Sequence, residues 1–335
     1  MIGAICLVLL ATSCRRLPYA PPTVKPTITP TPRSTALPPI PTSIPLGTKA
    51  NPIHIIFVMP QNPASQPTVS SDATAEVTDE SAPSSVASAL EKGLLDTTQM
   101  TVSVEVVNSD AESLSALCAS PKGKVSAAWM GGLAYAAAFA QTCGSAALEL
   151  QRGSGTSAST GDQARIITGA ADISTVADLA KHTFCRLGYA DIFSWLLPSL
   201  MIHDAGLADT DLKTINDYTD ASQMIDDLAA GKCDAIGISG AQFDALVSSS
   251  TKASLHTLQQ SSLIPFEVLV MPPQLPLAQQ QELTSALIAI GSGSRADTLK
   301  PLLNQNQLVA VSDGDLSGLR TFVSGAGIDL SQAGN

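Results

Sequence analysis

The stretch Val125-Ser126-Ala127-Ala128-Trp129-Met130-Gly131-Gly132-Leu133-Ala134-Tyr135 decides the fold. Residues 125–130 are apolar but for one serine and predict a short buried strand. Gly131-Gly132 ends it, and the alanine-rich run Leu133–Gln141 predicts a helix. Strand, glycine turn and helix in direct succession form the repeating unit of an α/β protein.

The same rhythm extends both ways. Upstream, Ile53–Met59 is a β-rich run stopped by Pro60, and Ser84–Lys92 has helical spacing with Gly93 as its stop. Met100–Val107 alternates as a strand, and Asp110 opens a short helix through Leu117. Downstream, Ala164–Thr168, Thr183–Arg186, Thr214–Asp217, Cys233–Ile238 and Phe266–Met271 read as strands. A helical turn at Val176–Ala180 and helices at Asp191–Ala205, Ala221–Ala230 and Leu277–Ile290 alternate with them. This order predicts an α/β fold with mostly parallel sheets. The rhythm restarts after the Gly/Ser-rich stretch 153–161, which predicts two lobes. One lobe takes residues 52–158 and 276–335, the other 159–275, with crossings near Gly155 and after Pro272.

Outside the folded part the chain changes character. Ile2–Ala11 is an apolar run too short to span a bilayer and fits the core of an export signal. It ends in Leu10-Ala11-Thr12-Ser13-Cys14, small residues before a cysteine, as in a bacterial lipobox. Residues 1–14 are therefore expected to be a lipoprotein signal, with Cys14 lipidated. No Lys or Arg precedes the apolar run, and Ala11 stands where Leu is usual; an ordinary export signal is the other reading. Residues 15–51 carry ten prolines, many beside Thr or Ser, and read as an extended tether. Gln61–Ser85 reads as a polar surface loop. With 18 Lys+Arg against 29 Asp+Glu, the net charge of −11 disfavours nucleic acid as a partner. Four scattered histidines give no basis for a metal site or a catalytic set, and no P-loop or Gly-x-Ser-x-Gly elbow occurs. No cofactor is expected.

Residues 125–135 resemble the D-x-A-W-x-G-x-x-x-Y region of phosphate/phosphite/phosphonate-type substrate-binding proteins of ABC transporters. So do Leu179–Arg186, the Trp195-Leu196-Leu197-Pro198 helix with Ala205-Gly206-Leu207, and Gly231-Lys232-Cys233-Asp234-Ala235. The matches keep their order from residue 53 to about 325. The resemblance implies a two-lobed periplasmic-binding-protein-like fold of type II, with a hinge between lobes that close on a ligand. It also implies ligand-facing positions at Gly131, Tyr135, Tyr218, Thr219 and Asp234. Thr219 stands where a ligand-contacting His is common, Asp220 starts the next helix, and Asp234 matches an acidic residue that can meet a ligand amino group. Trp129 is expected in the core.

One departure is sharp. The family grips phosphoryl oxygens with a Ser/Thr-rich turn at a helix start. Counting back from Pro198, that turn falls on Asp191-Ile192-Phe193. The hydroxyls are gone and a carboxylate stands there; Asp191 is also a good helix N-cap. A register shift of one or two residues would restore a hydroxyl through Ser194.

Four cysteines remain after Cys6 and Cys14: Cys118, Cys143, Cys185 and Cys233. An even count in an exported chain favours disulfides, and three connectivities are possible. Pairing within each lobe, Cys118–Cys143 and Cys185–Cys233, is expected; four free thiols is the alternative. The expected function is a non-enzymatic, monomeric solute-binding lipoprotein, lipid-anchored to the membrane outside the cytoplasm. It would pass a small polar, phosphonate-like ligand to an ABC permease. The alternative is a sensor that hands its ligand-bound state to a membrane partner.

Overall fold

The computed structural model describes residues 44–59, 81–305 and 307–325. The signal segment with Cys14, the tether up to residue 43 and the polar stretch 61–80 lie outside the described residues. The first half runs β1 (Ile53–Val58), α1 (Ser81–Thr98), β2 (Val102–Val107), α2 (Asp110–Cys118), β3 (Ser126–Met130), α3 (Gly132–Ala140), β4 (Ser145–Gln151), β5 (Gly161–Asp162) and β6 (Ala164–Thr168). Next come β7 (Thr183–Arg186), a π-helical turn (Ile192–Leu196) leading into α4 (Leu197–Asp204), β8 (Thr214–Asp217), α5 (Ala221–Ala229), β9 (Ala235–Ser239), α6 (Gly240–Leu246) and α7 (Ser249–Lys252). The chain continues through β10 (His256–Gln260), β11 (Ile264–Pro265), β12 (Val268–Met271), α8 (Leu277–Ser292), α9 (Lys300–Leu303), β13 (Gln307–Ala310) and α10 (Ser317–Gly325).

The strands form two large sheets, one per lobe. The first has the order β13-β4-β12-β3-β1-β2 and the second β10-β6-β9-β7-β8. Both are mixed, not mostly parallel. The pairs β1–β2, β1–β3, β7–β8 and β7–β9 are parallel, whereas β12 and β13 in the first sheet and β6 and β10 in the second run antiparallel to their neighbours. The antiparallel members include β4, β10 and β13, which add to the strands the sequence predicts. Strands β10 and β13 are sheet edges with mostly exposed residues, so neither has an apolar run to announce it.

Two short strands join the lobes. Strand β5 leads into the second sheet, and β11 leads out of it and pairs antiparallel with β5, Gly161 opposite Pro265 and Asp162 opposite Ile264. The return crossing thus falls at Ile264–Pro265, ahead of the Pro272 boundary that the sequence suggests. Val268–Met271 belongs to the first sheet because all four residues are buried and pair with both β3 and β4.

Alternation along β1 divides the core of the first lobe. Ile53, Ile55 and Phe57 pack on one face with Leu90, Leu94, Trp129 and Leu287. Ile56 points to the other face, with Leu114, Met130 and Tyr135, and this layer continues into Ile166, Phe184 and Trp195 of the second lobe. Helix α1 runs through Gly93, where the sequence predicts a stop. The apolar face continues from Leu90 to Leu94, both fully buried, and a Cβ at Gly93 would meet Arg295 and Ile290 at 3.4 and 3.6 Å. In the second lobe the π-helical turn sits directly on β9: a Cβ at Gly237 would lie 2.1 Å from the Ser194 carbonyl oxygen.

Both lobes carry a disulfide. Cys118–Cys143 ties the end of α2 to the chain after α3, and Cys185–Cys233 ties β7 to the residues before β9, with Cα separations of 4.8 and 6.0 Å. The closed loops span 25 and 48 residues. The chain-entropy relation gives about 3.5 and about 4 kcal/mol of stabilisation for loops of that size.

Two outcomes are expected. Replacing Cys185 and Cys233 together with alanine lowers the unfolding free energy by about 4 kcal/mol, read from the denaturant midpoint and slope. Gly237→Ala costs about 1–3 kcal/mol, because the contact that its methyl meets is backbone and cannot swing away. An unchanged midpoint in either variant contradicts the corresponding account.

Candidate functional site

In open α/β sheets, ligands bind beyond the carboxyl ends of parallel strands. In the first lobe those ends are Val58, Val107 and Met130. A cavity of about 350 Å³ lies there, lined by Val58, Met59, Asn108, Ser109, Asp110, Gly131, Phe266 and Glu267. Asp110, the first residue of α2, accepts a hydrogen bond from the Gly131 N–H at 3.0 Å. A Cβ at Gly131 would stand 2.8 Å from the other oxygen of Asp110, so a larger residue there would displace that carboxylate. Glu267 follows the β11 crossing. Burial pushes its carboxyl up to about 8, Arg152 opposes the rise, and Asp110 adds to it. Neither Glu267 nor Asp110 is singled out by sequence reasoning. A lone glutamate before an apolar strand gives no signal until the crossing brings it beside α2.

The carboxyl ends of the second lobe's parallel strands are Arg186, Asp217 and Ser239. Asp191 caps the π-helical turn: its carboxylate accepts from the Ser194 N–H at 2.6 Å. The side chain of Ser194 is fully buried, and its hydroxyl oxygen accepts from the Leu187 N–H at 2.9 Å. Arg186 donates from Nε to Asp217 at 2.6 Å, and its guanidinium lies 4.4 Å from the Trp195 ring centre and 5.3 Å from that of Tyr189. Tyr189 is 70% exposed. Tyr218 and Thr219 follow β8 at this edge. The Tyr218 hydroxyl donates to Asp227 at 2.9 Å; burial and then Asp227 raise its pKa. Thr219 is exposed. Helix α5 is capped in the same manner as the π-turn, whereas the N-cap of α6 is the Ser239 hydroxyl, which accepts from the Gln242 N–H at 3.2 Å. Asp220 accepts from Gln223 N–H at the start of α5, and Asp162 accepts from Ala241 N–H at the start of α6 and from the Ser239 hydroxyl.

The expected site residues do not all meet. Gly131 lines the first-lobe cavity; Asp191, Ser194, Tyr218 and Thr219 gather at the carboxyl edge of the second sheet. Asp234 lies at the opposite edge, before β9, where it accepts from Thr183 N–H at 2.7 Å with His182 Nδ1 3.4 Å away. Tyr135 has a fully buried side chain. Its hydroxyl donates to Asp313 at 2.9 Å and accepts from Arg320 at 3.1 Å, and burial, followed by Asp313, raises its pKa. Each histidine is engaged in a different element: His54 with Glu105, His182 with Asp234, His203 with Asp209, and His256 with the Ile173 carbonyl. Among the described residues no cluster of three or more potential metal ligands occurs, and no helix is long and apolar enough to cross a membrane.

Known proteins resemble this chain in sequence pattern and fold. No curated protein sequence matches it significantly. Solved structures of XAC2383 from Xanthomonas citri, one bound to chloride and one to ATP, superpose with a TM-score of 0.52 at 14% and 12% identity. They cover 82% of this chain and 97% and 96% of theirs. The Mycoplasma hyorhinis protein Mh-p37 superposes with a TM-score of 0.53 at 10% identity, over 82% of this chain and 98% of its own. These likenesses establish the two-lobed fold. The profile of a family described as "ABC transporter, phosphonate, periplasmic substrate-binding protein" matches residues 75–316, most of the folded part. The chain belongs to the family of periplasmic substrate-binding proteins of ABC phosphonate transporters.

Proposed function

We propose that the protein is an extracytoplasmic, lipid-anchored solute-binding protein. It captures a small polar ligand between its lobes and delivers it as a monomer to a membrane permease. The observation that carries this reading is the doubled crossing of β5 and β11 between two sheets, with a cavity of about 350 Å³ beside it. A cavity of this size suits a small solute, and a two-strand crossing suits hinge closure. The lipobox-like run ending at Cys14 and the proline-rich tether support anchoring. A single lipid anchors without spanning the bilayer.

The ligand's chemistry is constrained by Asp191. Its carboxylate holds the donor that a phosphoryl oxygen would use at the helix start, and its charge opposes an anion. Two unit charges about 4 Å apart at an effective dielectric of about 20 repel by about 4 kcal/mol, near a thousandfold in affinity. The proposed ligand is therefore not phosphate or a simple alkylphosphonate.

Three measurements test this reading. Native mass spectrometry of freshly purified protein should detect a co-purified small solute; a protein that is always empty and bound by nothing in a solute screen contradicts it. Titration calorimetry should show weak or no binding of phosphate and methylphosphonate, with Asp191→Ser improving both. Tight phosphonate binding unaffected by that substitution would place Asp191 outside the ligand's reach. Cys14→Ser should release the chain from membranes into the soluble fraction.

A further inference from the structure

Two carboxyls stand at the root of the two-strand crossing, and the solute-binding reading gives neither a role. Glu149 lies in β4, only 7% exposed, opposite Val268 of β12 and Val309 of β13. Thr160, the residue before β5, makes a side-chain hydrogen bond to its carboxyl, while Oε1 has no partner among the described residues. Glu267 lies between β11 and β12. It is half-buried as a residue, but its Oε2 is sealed from solvent and likewise has no partner among the described residues. The main chain joins the two sites. The Glu267 carbonyl accepts from the N–H of Leu150, next to Glu149, at 3.0 Å, and the Thr160 carbonyl accepts from the N–H of Phe266, next to Glu267, at 2.9 Å. The outgoing and returning strands are therefore fastened to each other and to β4 beside these two carboxyls. A sealed oxygen without a partner is far better tolerated on a neutral acid than on a carboxylate.

We propose that this root is a pH-sensitive latch: it stays seated while Glu267 is protonated, and loss of that proton to solvent loosens the paired strands from β4. The latch needs no ligand and goes beyond the solute-binding reading. The charged groups acting on Glu267 are Arg152, just past β4, and Asp110 on α2. Burial outweighs the arginine and Asp110 adds to it, so the carboxyl is pushed up to about 8 and keeps its proton at neutral pH. Burial also raises Glu149, against the Thr160 bond and with help from Asp315, so its ionisation acts in the same direction. The strands beside Glu149 present only Val268 and Val309 to it, and neither can pair with its charge. A carboxyl raised in the seated form favours that form fully at low pH. The contribution is lost as the pH climbs from the ordinary carboxylate range to about 8.

The test is amide hydrogen exchange on the intact, ligand-free chain at pH 6, 7, 8 and 9, each rate divided by the intrinsic rate at that pH. Protection of the Leu150 and Phe266 amides is expected to fall about fiftyfold from pH 6 to pH 8 and only about twofold more by pH 9. That is the profile of one carboxyl near 8 that returns to its ordinary value when the crossing opens. Amides of β9 in the second sheet should show no such break. Glu267→Gln should hold its protection nearly level across the range, because glutamine cannot ionise. Three results would overturn the inference: level protection at Leu150 and Phe266 in the unmodified chain, an equal fall in β9, or a fall that survives Glu267→Gln unchanged. If Glu267→Gln folds poorly, the profile of the unmodified chain read against β9 decides the matter alone. No solute is present, so failure of the latch leaves the solute-binding reading untouched, and that reading is decided separately by the co-purified solute.

Discussion

The pairing of β5 with β11 is the contact on which the two-lobed arrangement depends. It holds only because side chains are missing where the backbones meet. A Cβ at Gly161 would stand 2.3 Å from the Ile264 carbonyl oxygen, and one at Gly132 would stand 2.7 Å from the Pro265 ring. The two glycines let the outgoing and returning strands lie against each other and against the start of α3. That seating brings Phe266 and Glu267 to the mouth of the first sheet. The cavity is thus a product of the crossing as much as of the sheet.

Electrostatics sets a second constraint. The net charge is −11, and several of the acidic groups are placed at helix starts. There they satisfy N–H groups that would otherwise need a partner. The arrangement stabilises the helices and occupies N–H donors at their starts. In the proposed reading the same carboxylates also narrow the ligand class.

The strand-and-helix order was legible because parallel central strands carry continuous apolar runs: Val125–Met130 and Cys233–Ile238 announce β3 and β9. The disulfide partners were legible from even count and position. Edge strands were not, since β10 and β13 have one face in solvent and no pattern to read. The return crossing was misplaced because Phe266–Met271 looks like any buried strand, and only pairing with β3 and β4 assigns it to the first sheet. For the site, motif position named Asp191 and Gly131, whose local contacts are a cap on the Ser194 N–H and a close approach to Asp110. Tyr135 and Asp234 could not be assigned from motif position. Where a tyrosine side chain points depends on Asp313 and Arg320 far along the chain, and the edge at which Asp234 lies depends on strand register.

The bond between Tyr135 and Asp313 spans 178 residues, and Asp313 also accepts from the Ala146 N–H at 2.9 Å. Helix α3 and strand β4 are therefore seated by a segment near the end of the chain. The second sheet, by contrast, is made from the unbroken stretch 164–260. As the chain emerges during synthesis or translocation, the second lobe has all its strands while the first still lacks β12 and β13 and the residues that anchor α3. The lobe that begins first in sequence thus needs the far end of the chain to complete its sheet, whereas the second sheet is contained within one stretch.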